Sequence, residues 1–241
     1  MKVSTPQGRF DEEAKKVSGR KICQVTADGK HLFYHWTRGE LAHVHLGLYG
    51  KFRVHKNPAP EPRGAVRVRM IGRERSFDLN VPNRCELIDQ QAYTQLRARL
   101  GEDPLHSGAC ADTVWDRCNK SRAPIGSLLL NQSVIAGVGN IYRTEVLFLA
   151  RIHPELPANH LDRKQFDELW ERTKTLMKIG VKYNQIITLG REQRDRPLSR
   201  LAASERVNIY KRDDCPRCGS GVKSWELGGR KMYACCNCQK K

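Results

Sequence analysis

Two pairs of cysteines near the end of the chain have the spacing of a metal site. Cys215 and Cys218 are separated by two residues, as are Cys235 and Cys238, and sixteen residues lie between the pairs. Four thiolates on two tight turns suit the tetrahedral coordination of Zn²⁺, and four protein ligands leave no position for a catalytic water. The pattern therefore predicts a four-cysteine zinc ribbon in which one Zn²⁺ ion is structural.

Other interpretations of the cysteines stay open at this stage. The same residues could form two disulfides or a cluster of free thiols, and Cys236 could replace Cys235 as a ligand. We favour Cys235, because only this residue leaves two residues before Cys238. The chain has nine cysteines, and the four outside the tail are scattered, so we expect them to be reduced thiols in a reducing compartment. These four are Cys23, Cys85, Cys110 and Cys118.

A glycine-rich turn, IAGVGNIY at residues 135–142, enters a predicted helix. The free backbone amides at such a helix start, together with the positive end of the helix dipole, can bind a phosphate. Asn140 adds a side-chain donor at this position. A turn with two glycines is often only a tight connection, and that alternative also stays open.

Two cations follow tight turns. Lys30 comes after Asp28-Gly29, and Arg230 comes after Gly228-Gly229. Single cations at turns are usually solvated surface residues. On a tight loop, however, an ammonium or guanidinium group can also reach into a groove and bind a phosphate.

The charge balance points to a polyanionic partner. The 241 residues include 43 Lys and Arg against 26 Asp and Glu, for a formal net charge of +17. Nucleic acid is the expected partner of such a chain, although an anionic membrane surface or simple solubility is an alternative explanation. The sequence contains no long apolar run and no secretory leader, so we expect a cytoplasmic protein without membrane association, nucleoid-associated when bound to DNA.

The first part of the chain has the pattern of short strands, which predicts an antiparallel β-sandwich with one short helix at residues 11–16. Turn residues such as Asp28-Gly29 and Arg38-Gly39 separate the strands. His43 and His45 alternate on one strand, and we interpret them as packing or surface residues because no third ligand is near in sequence. The strand candidates are residues 22–25, 32–34, 44–46, 52–54 and 66–70.

The period becomes helical after residue 88. We predict three domains, with a β-sandwich at 1–104, an all-α domain at 105–205 and a zinc ribbon at 206–241 that contains a hairpin around Gly228-Gly229. Residues 191–204 are polar and aperiodic and predict a mobile loop. The predicted helices are residues 89–100, 111–119, 125–130, 141–150 and 162–183.

The sequence QSVIAGVGNIYRTE at residues 132–145 resembles the helix, two-turn, helix signature of the formamidopyrimidine-DNA glycosylase and endonuclease VIII family, and Ile152-His153-Pro154 extends the likeness. The ribbon with Gly229-Arg230 before Met232-Tyr233 resembles the family's zinc finger. Residues 45–50, HLGLYG, resemble a strand and loop of its sandwich, and residues 100–105 resemble its domain junction. The resemblance spans residues 6–241.

The resemblance implies that the chain excises oxidised bases by flipping the nucleotide out of the duplex and then cuts the strand at the abasic site by β- and δ-elimination. It implies catalytic roles for Lys30, beside the lesion phosphate, and for Arg230, which binds the same backbone. Asn140 becomes the phosphate clamp, Arg99 a further DNA contact, and Leu48 the residue that fills the gap left by the extruded base. The implied partner is double-stranded DNA that contains oxidised bases or abasic sites, bound by a monomer.

The loop Leu48-Tyr49-Gly50 is more similar to the endonuclease VIII branch, so oxidised pyrimidines are the expected substrates. One departure concerns the family's nucleophile, an N-terminal proline followed by glutamate on a first helix. This chain begins Met1-Lys2-Val3, and neither Pro6 nor Glu12 stands where that chemistry needs it.

Two explanations follow from this departure. Either a catalytic segment precedes the given start, which we favour because the phosphate-binding set is intact, or the protein is a non-catalytic binder of damaged DNA. A third hypothesis, a zinc-ribbon protein that binds RNA or another protein, predicts no preference for damaged duplex.

Overall fold

The computed structural model describes residues 1–190, 197 and 200–240. These residues belong to two compact units, Met1–Arg99 and Leu100–Lys241. The three-domain division with ends at 104 and 205 stays a prediction. Most of the predicted mobile loop at 191–204 lies outside the described residues, because 191–196, 198 and 199 are not among them.

The first unit contains two four-stranded antiparallel sheets, with strand orders β1-β6-β7-β5 and β2-β3-β4-β8. The strands are β1 (Lys2–Ser4), β2 (Ile22–Asp28), β3 (His31–Trp36), β4 (Leu41–His45), β5 (Lys51–Lys56), β6 (Val66–Ile71), β7 (Arg75–Asn80) and β8 (Arg84–Ile88). All five predicted strands are present. The pattern had not singled out β1, β7 or β8.

The two sheets pack face to face around one apolar core. Alternate residues of each strand point inward, such as Val68 and Met70 on β6 and Val44 on β4, and all three are buried. Burial of one such side chain contributes about 1.5–3 kcal/mol. The short helix α1 (Asp11–Val17) adds Ala14 and Val17 to the core. The predicted β-sandwich is confirmed.

Helix α2 (Gln90–Ala98) packs on the outer face of the β2-β3-β4-β8 sheet. The Asp89 carboxylate caps its first turn by accepting a hydrogen bond from the backbone N–H of Ala92 at 2.7 Å. Tyr93 of the helix meets the fully buried Phe33 edge-on, with ring centroids 4.8 Å apart. The outer face of this sheet is therefore partly covered.

The second unit is helical apart from one hairpin, within the residues described. Its helices are α3 (Ala111–Asn119), α4 (Ile125–Leu128), α5 (Asn140–Leu149) and α6 (Arg163–Tyr183), with 3₁₀ turns at Ala158–His160 and Ala203–Arg206. A capping box between Asp162 and Gln165 starts α6, and Asn184 ends it in a left-handed conformation. The predicted apolar face of α6 is buried, and it comprises Phe166, Leu169, Trp170, Thr173, Leu176 and Met177.

The hairpin consists of β9 (Lys223–Leu227) and β10 (Arg230–Ala234), paired antiparallel. Gly228 and Gly229 join the strands, both with positive φ (62° and 68°), as a two-residue type I′ turn requires. Met232 is fully buried and belongs to the helical core, so the hairpin is anchored on the helices. Among the described residues, we find no helix that is both long and apolar enough to cross a bilayer.

Candidate nucleic-acid interface

The four cysteines predicted as metal ligands come together in the second unit. The Sγ atoms of Cys215, Cys218, Cys235 and Cys238 all lie within 4.8 Å of one another. The Cys215–Cys238 and Cys218–Cys235 pairs are 3.9 and 3.5 Å apart. Tetrahedral coordination with zinc–sulfur bonds of about 2.3 Å places sulfurs about 3.8 Å apart, so the set fits one zinc-sized ion.

Two similar turns position these thiols. The backbone N–H of Gly219 donates to the carbonyl of Cys215 at 2.9 Å, and the N–H of Gln239 donates to the carbonyl of Cys235 at 2.8 Å. The fully buried Gln239 side chain also accepts from the Cys235 amide and donates to the carbonyl of Ile152, which fixes the second turn to the helical domain. Hydrogen bonds from Ser220 lower the pKa of the Cys218 thiol to about 5, whereas burial raises the pKa of the Cys215 and Cys238 thiols, so these two need the charge of a bound metal to ionise.

The glycine-rich turn before α5 is held by one side chain. Gln132 donates to the carbonyls of Leu130 and Val138 and accepts from the amide of Gly137, each at 3.0 Å. Gly137 has φ 84°, a conformation that favours glycine. The turn therefore delivers Gly139 and Asn140 in a fixed position at the start of a ten-residue helix, whose first amides have no partner within the helix.

Asn140 joins this helix start to the ribbon. Its Nδ2 atom donates to the carbonyl of Lys231 at 2.9 Å, and its Oδ1 atom accepts from Nε of Arg143 at 3.0 Å. The amide group is thereby held in one orientation at the positive end of α5. One N–H of Nδ2 remains for a further acceptor.

Arg143 organises the junction from inside. Its side chain is fully buried and donates to the carbonyls of Gly126, Leu227 and Arg230 at 2.9, 2.9 and 3.1 Å. Burial, with the charge of Arg230 second, lowers the pKa of Arg143 to about 10, so the guanidinium stays charged at neutral pH. Both ends of the Gly-Gly turn are thus bound to a helix residue.

Glu145 is the second buried charge of α5. It is fully buried and accepts from the backbone amides of Asn208, Ile209 and Tyr210 at 2.6–2.8 Å. It also accepts from the Asn208 side chain at 3.0 Å and from the Thr188 hydroxyl at 2.5 Å. Five donors offset the desolvation of the carboxylate and fix the chain that leads into the ribbon.

Arg230 is exposed at the start of β10, and a cluster of aromatic and cationic side chains lies further along β10 and on the segment before the cysteine turns. Tyr210 and Tyr233 meet edge-on with centroids 5.2 Å apart. Lys211 lies over the Tyr210 ring and Lys231 over the Tyr233 ring, each at 5.8 Å. A surface with this mixture of cations and ring faces suits a nucleic-acid backbone.

In the first unit, Lys30 lies at the tip of the β2–β3 hairpin and is exposed. The pair His31↔His45 shows that this tip and the end of β4 are at the same end of the sheet. Arg99, at the C-terminus of α2, is exposed and close enough for its charge to act on His31. Lys30 and Arg99 therefore both lie near the end of the sheet that carries His31.

The loop after β4 displays two large apolar side chains. Leu48 is 66% exposed and Tyr49 is 78% exposed. The amide of Gly50 closes the turn by donating to the carbonyl of Leu46 at 3.0 Å, and a Cβ atom at Gly50 would lie 2.2 Å from that oxygen. A tight loop with exposed apolar side chains is suited to contact a partner.

Three imidazoles cluster on the outer face of the same sheet. His31 and His43 stack with centroids 5.1 Å apart, and the His31 and His45 rings are 4.8 Å apart. The sequence had indicated only packing or surface roles for His43 and His45. The third histidine was missed because it lies on the neighbouring strand, and it can be found from sequence only once the β3–β4 register is known.

The structure thus brings Asn140 and Arg230 together in the second unit, and Lys30, Arg99 and the Leu48 loop to one end of a sheet in the first. Sequence reasoning assigned no role to Arg143 or Glu145. Their charge within an otherwise buried helix is the signal that could have found them.

A β-sandwich, a helix-turn element that exposes a helix start, and a four-cysteine hairpin, in a chain with a net charge of +17, point to the class of DNA-binding proteins. Residues 2–83 match the formamidopyrimidine-DNA glycosylase N-terminal domain, and residues 100–191 match the formamidopyrimidine-DNA glycosylase H2TH domain. The chain is 44% identical to Endonuclease 8 1 of Mycobacterium tuberculosis, over 99% of this chain and 91% of the relative.

The chain is also 33% identical to a formamidopyrimidine-DNA glycosylase of Chloroflexus aurantiacus, over 99% of this chain and 86% of that protein. It therefore belongs to the formamidopyrimidine-DNA glycosylase and endonuclease VIII family of base-excision-repair DNA glycosylases. Among solved structures, it is similar to the Lactococcus lactis Fpg bound to abasic-site DNA (TM-score 0.82, 24% identity, 100% of this chain and 92% of the other). The same Lactococcus protein with oxidised-pyrimidine DNA gives TM-score 0.83 at 25% identity, over 100% of this chain and 91% of the other.

Proposed function

We propose that the protein is a bifunctional enzyme of the endonuclease VIII branch, which removes oxidised bases from double-stranded DNA, pyrimidines preferred, and cuts the strand at the abasic site. The similarity to Endonuclease 8 1 along 99% of the chain supports the branch. The exposed Leu48-Tyr49 loop supports a contact inside a duplex, because a large apolar side chain can occupy the space of a flipped nucleotide.

The arrangement around Arg143 is the observation that best supports this function. Arg143 binds Asn140 on one side and the carbonyls of Leu227 and Arg230 on the other. Two groups that are 90 residues apart in sequence, an amide at a helix start and a guanidinium on a hairpin, are thereby presented together. Such a pair is suited to bind one stretch of DNA backbone.

In this proposal Lys30 and Arg230 are the catalytic residues, and Asn140, Arg99 and Leu48 contact DNA. The cysteine cluster holds one structural Zn²⁺, because four thiolates suit zinc and occupy every tetrahedral position. The protein acts as a monomer in the cytoplasm.

A second candidate is a non-catalytic binder of damaged DNA. It would keep the phosphate contacts of Asn140 and Arg230, which Arg143 holds together, but would perform no imine chemistry.

Borohydride trapping on an abasic-site duplex separates these candidates. In imine formation, the amine nitrogen bonds to C1′ of the ring-opened sugar, water leaves, and borohydride reduces the C=N bond to a stable adduct. An adduct from the 241-residue chain that Lys30→Ala abolishes would identify Lys30 as the amine. Lys21→Ala, an exposed lysine at the opposite end of β2, is the matched control and should trap normally.

Tight binding of abasic duplex without any adduct or strand cleavage would contradict the enzymatic function and support the binder. A chain extended by upstream codons, run beside it, tests the truncation hypothesis. An adduct from the extended chain alone would mean that the amine lies before Met1.

A further inference from the structure

A continuous chain of polar groups crosses the outer face of the second sheet of the first unit. Nδ1 of His43 lies 3.2 Å from Oε1 of Glu86, and Nε2 of His43 lies 2.8 Å from Nδ1 of His31. The three residues come from β8, β4 and β3, and the register pairs His43 directly with Glu86. His43 is 1% exposed and stacks on Phe33 with centroids 5.2 Å apart, so its ring cannot turn freely.

Each hydrogen bond between Glu86, His43 and His31 has a defined donor and acceptor. An ionised carboxylate only accepts, so Nδ1 of His43 carries the proton that faces Glu86. In the neutral ring, Nε2 of His43 is then an acceptor, and Nδ1 of His31 must be the donor. The lone pair of His31 is left on Nε2, which has no hydrogen-bond partner among the described residues.

The surroundings keep the imidazoles uncharged. Burial lowers the pKa of His31 to about 4, followed by the charges of His45, His43, Arg84 and Arg99. Burial also lowers the pKa of His43, although its hydrogen bond to Glu86 acts in the opposite direction. At neutral pH the His31 and His43 rings are therefore uncharged. The charged groups that act on these two rings are Glu86, Arg84 and Arg99, and Lys30 acts on the neighbouring His45.

We propose that Glu86, His43 and His31 form a proton relay that holds Nε2 of His31 as a proton acceptor next to Lys30. Its use in strand cleavage rests on the function proposed above. His31 directly follows Lys30 at the hairpin tip, so a substrate held by Lys30 reaches this nitrogen before the buried part of the relay. Glu86 and His43 are positioning residues, because they act through His31.

The relay can take up the proton that an elimination at an abasic site releases from C2′. The C2′–H bond breaks and its electron pair forms the C2′=C3′ double bond, while the phosphate leaves with the electrons of the C3′–O bond. The C2′ proton bonds to Nε2 of His31, and His31 passes its Nδ1 proton to Nε2 of His43. The resulting imidazolium lies beside the Glu86 carboxylate, which compensates for the weak basicity of His31 itself.

The first test needs no enzymatic activity. In ¹⁵N spectra of the histidine rings at neutral pH, protonated and unprotonated nitrogens have different chemical shifts. We expect His43 and His31 to carry their protons on Nδ1, and Glu86→Gln to mix the tautomers because an amide can donate or accept. A proton on Nε2 of His31 in the wild type would overturn the relay.

The second test measures cleavage of a preformed abasic duplex under single-turnover conditions, as a function of pH. We expect His31→Gln to slow cleavage about 100-fold and remove the acid limb of the pH–rate profile, and Glu86→Gln to slow it about 10-fold. DNA affinity should change less than twofold. His55→Gln is the matched control, because His55 also binds a carboxylate (Asp78, 3.0 Å) but on the other sheet.

Unchanged rates and pH profile in His31→Gln would overturn the catalytic use of the relay. A wild-type chain without cleavage activity would overturn the enzymatic function itself, and the tautomers would still decide whether the relay exists.

Discussion

The two units hold their charged side chains by different means. In the second unit, Arg143 and Glu145 are fully buried and bind backbone groups that are 17 to 87 residues away in sequence. In the first unit, Lys30 and Arg99 are exposed on a turn and a helix end, and the nearby histidines bind side chains on neighbouring strands. Buried charges fix the positions of the site residues in the second unit, and strand register fixes those in the first.

This difference separates stability from binding. Loss of a buried charge leaves several backbone groups without a partner, so the surrounding structure should weaken together with the site. Loss of an exposed cation removes a contact to a partner and leaves the fold intact. Substitutions in the two classes should therefore have distinct signatures.

Loss of the metal site should have the largest effect on the stability of the fold. In Cys218→Ser, one of four sulfur ligands is missing, and structural zinc contributes on the order of 10 kcal/mol to the folding of small ribbons. We expect loss of zinc from the purified protein and rapid hydrogen exchange at residues 215–239. Cys236→Ser, which changes a cysteine outside the cluster, is the control, and full zinc content in Cys218→Ser would contradict the ligand set.

Glu145→Gln should have the next largest effect. The amide of the variant must point an N–H₂ group at one of the donors that now face the carboxylate, so we expect a loss of about 3 kcal/mol in the free energy of unfolding. Urea denaturation measures the loss. Glu171→Gln, an exposed position on α6, should change stability by less than about 0.5 kcal/mol. Equal stability of the two variants would contradict the role given to Glu145.

Arg230→Ala should weaken binding without changing stability. The side chain is exposed, and its backbone carbonyl, which Arg143 binds, is retained in the variant. We expect weaker binding to abasic duplex, a slope of log K against log salt that is smaller by about 1, and full zinc content. Lys223→Ala on the same hairpin is the control. An unchanged affinity across the salt titration would refute the phosphate contact.

The smallest expected effect is on the pH dependence of stability, because His31 is partly exposed and solvent screening reduces the contribution of its pKa shift. Burial holds the pKa of His31 at about 4, against about 6.5 in the unfolded chain. Between these values the unfolded state binds the proton more strongly, so the free energy of unfolding should fall as pH falls from 6.5 to 4. Urea denaturation of wild type and His31→Gln at pH 7 and 4.5 isolates this contribution, and an identical pH dependence would contradict it.

Short sequence patterns predicted the features that are determined by residues close together in sequence. The apolar period of α6 gave its buried face, and the Gly228-Gly229 pair gave the hairpin turn. The spacing of Cys235 to Cys238 indicated the cluster, in which Cys236 has no part. These features depend on residues within a few positions of one another.

Features that depend on long-range pairing were not predictable from single residues. From sequence alone, Arg143 and Glu145 look like ordinary charged helix residues. Nothing in the sequence indicates that they bind carbonyls and amides more than 60 positions away. The pattern did not single out strand β7, RSFDLN, because buried polar residues interrupt its apolar alternation. The partner of one of them, Asp78, is Arg69 on the neighbouring strand β6. Likewise, the relay became visible only with the register of β3, β4 and β8.

The Glu145 carboxylate has a consequence for how this family of chains can vary. It binds Thr188 and Asn208, and the amide of Thr188 also donates to the carbonyl of Arg206 at 2.8 Å, so both ends of the intervening segment are fixed at one point. In relatives, positions 145, 188 and 208 should therefore change together, because a substitution at one of them leaves the buried donors or the acceptor at the others without a partner.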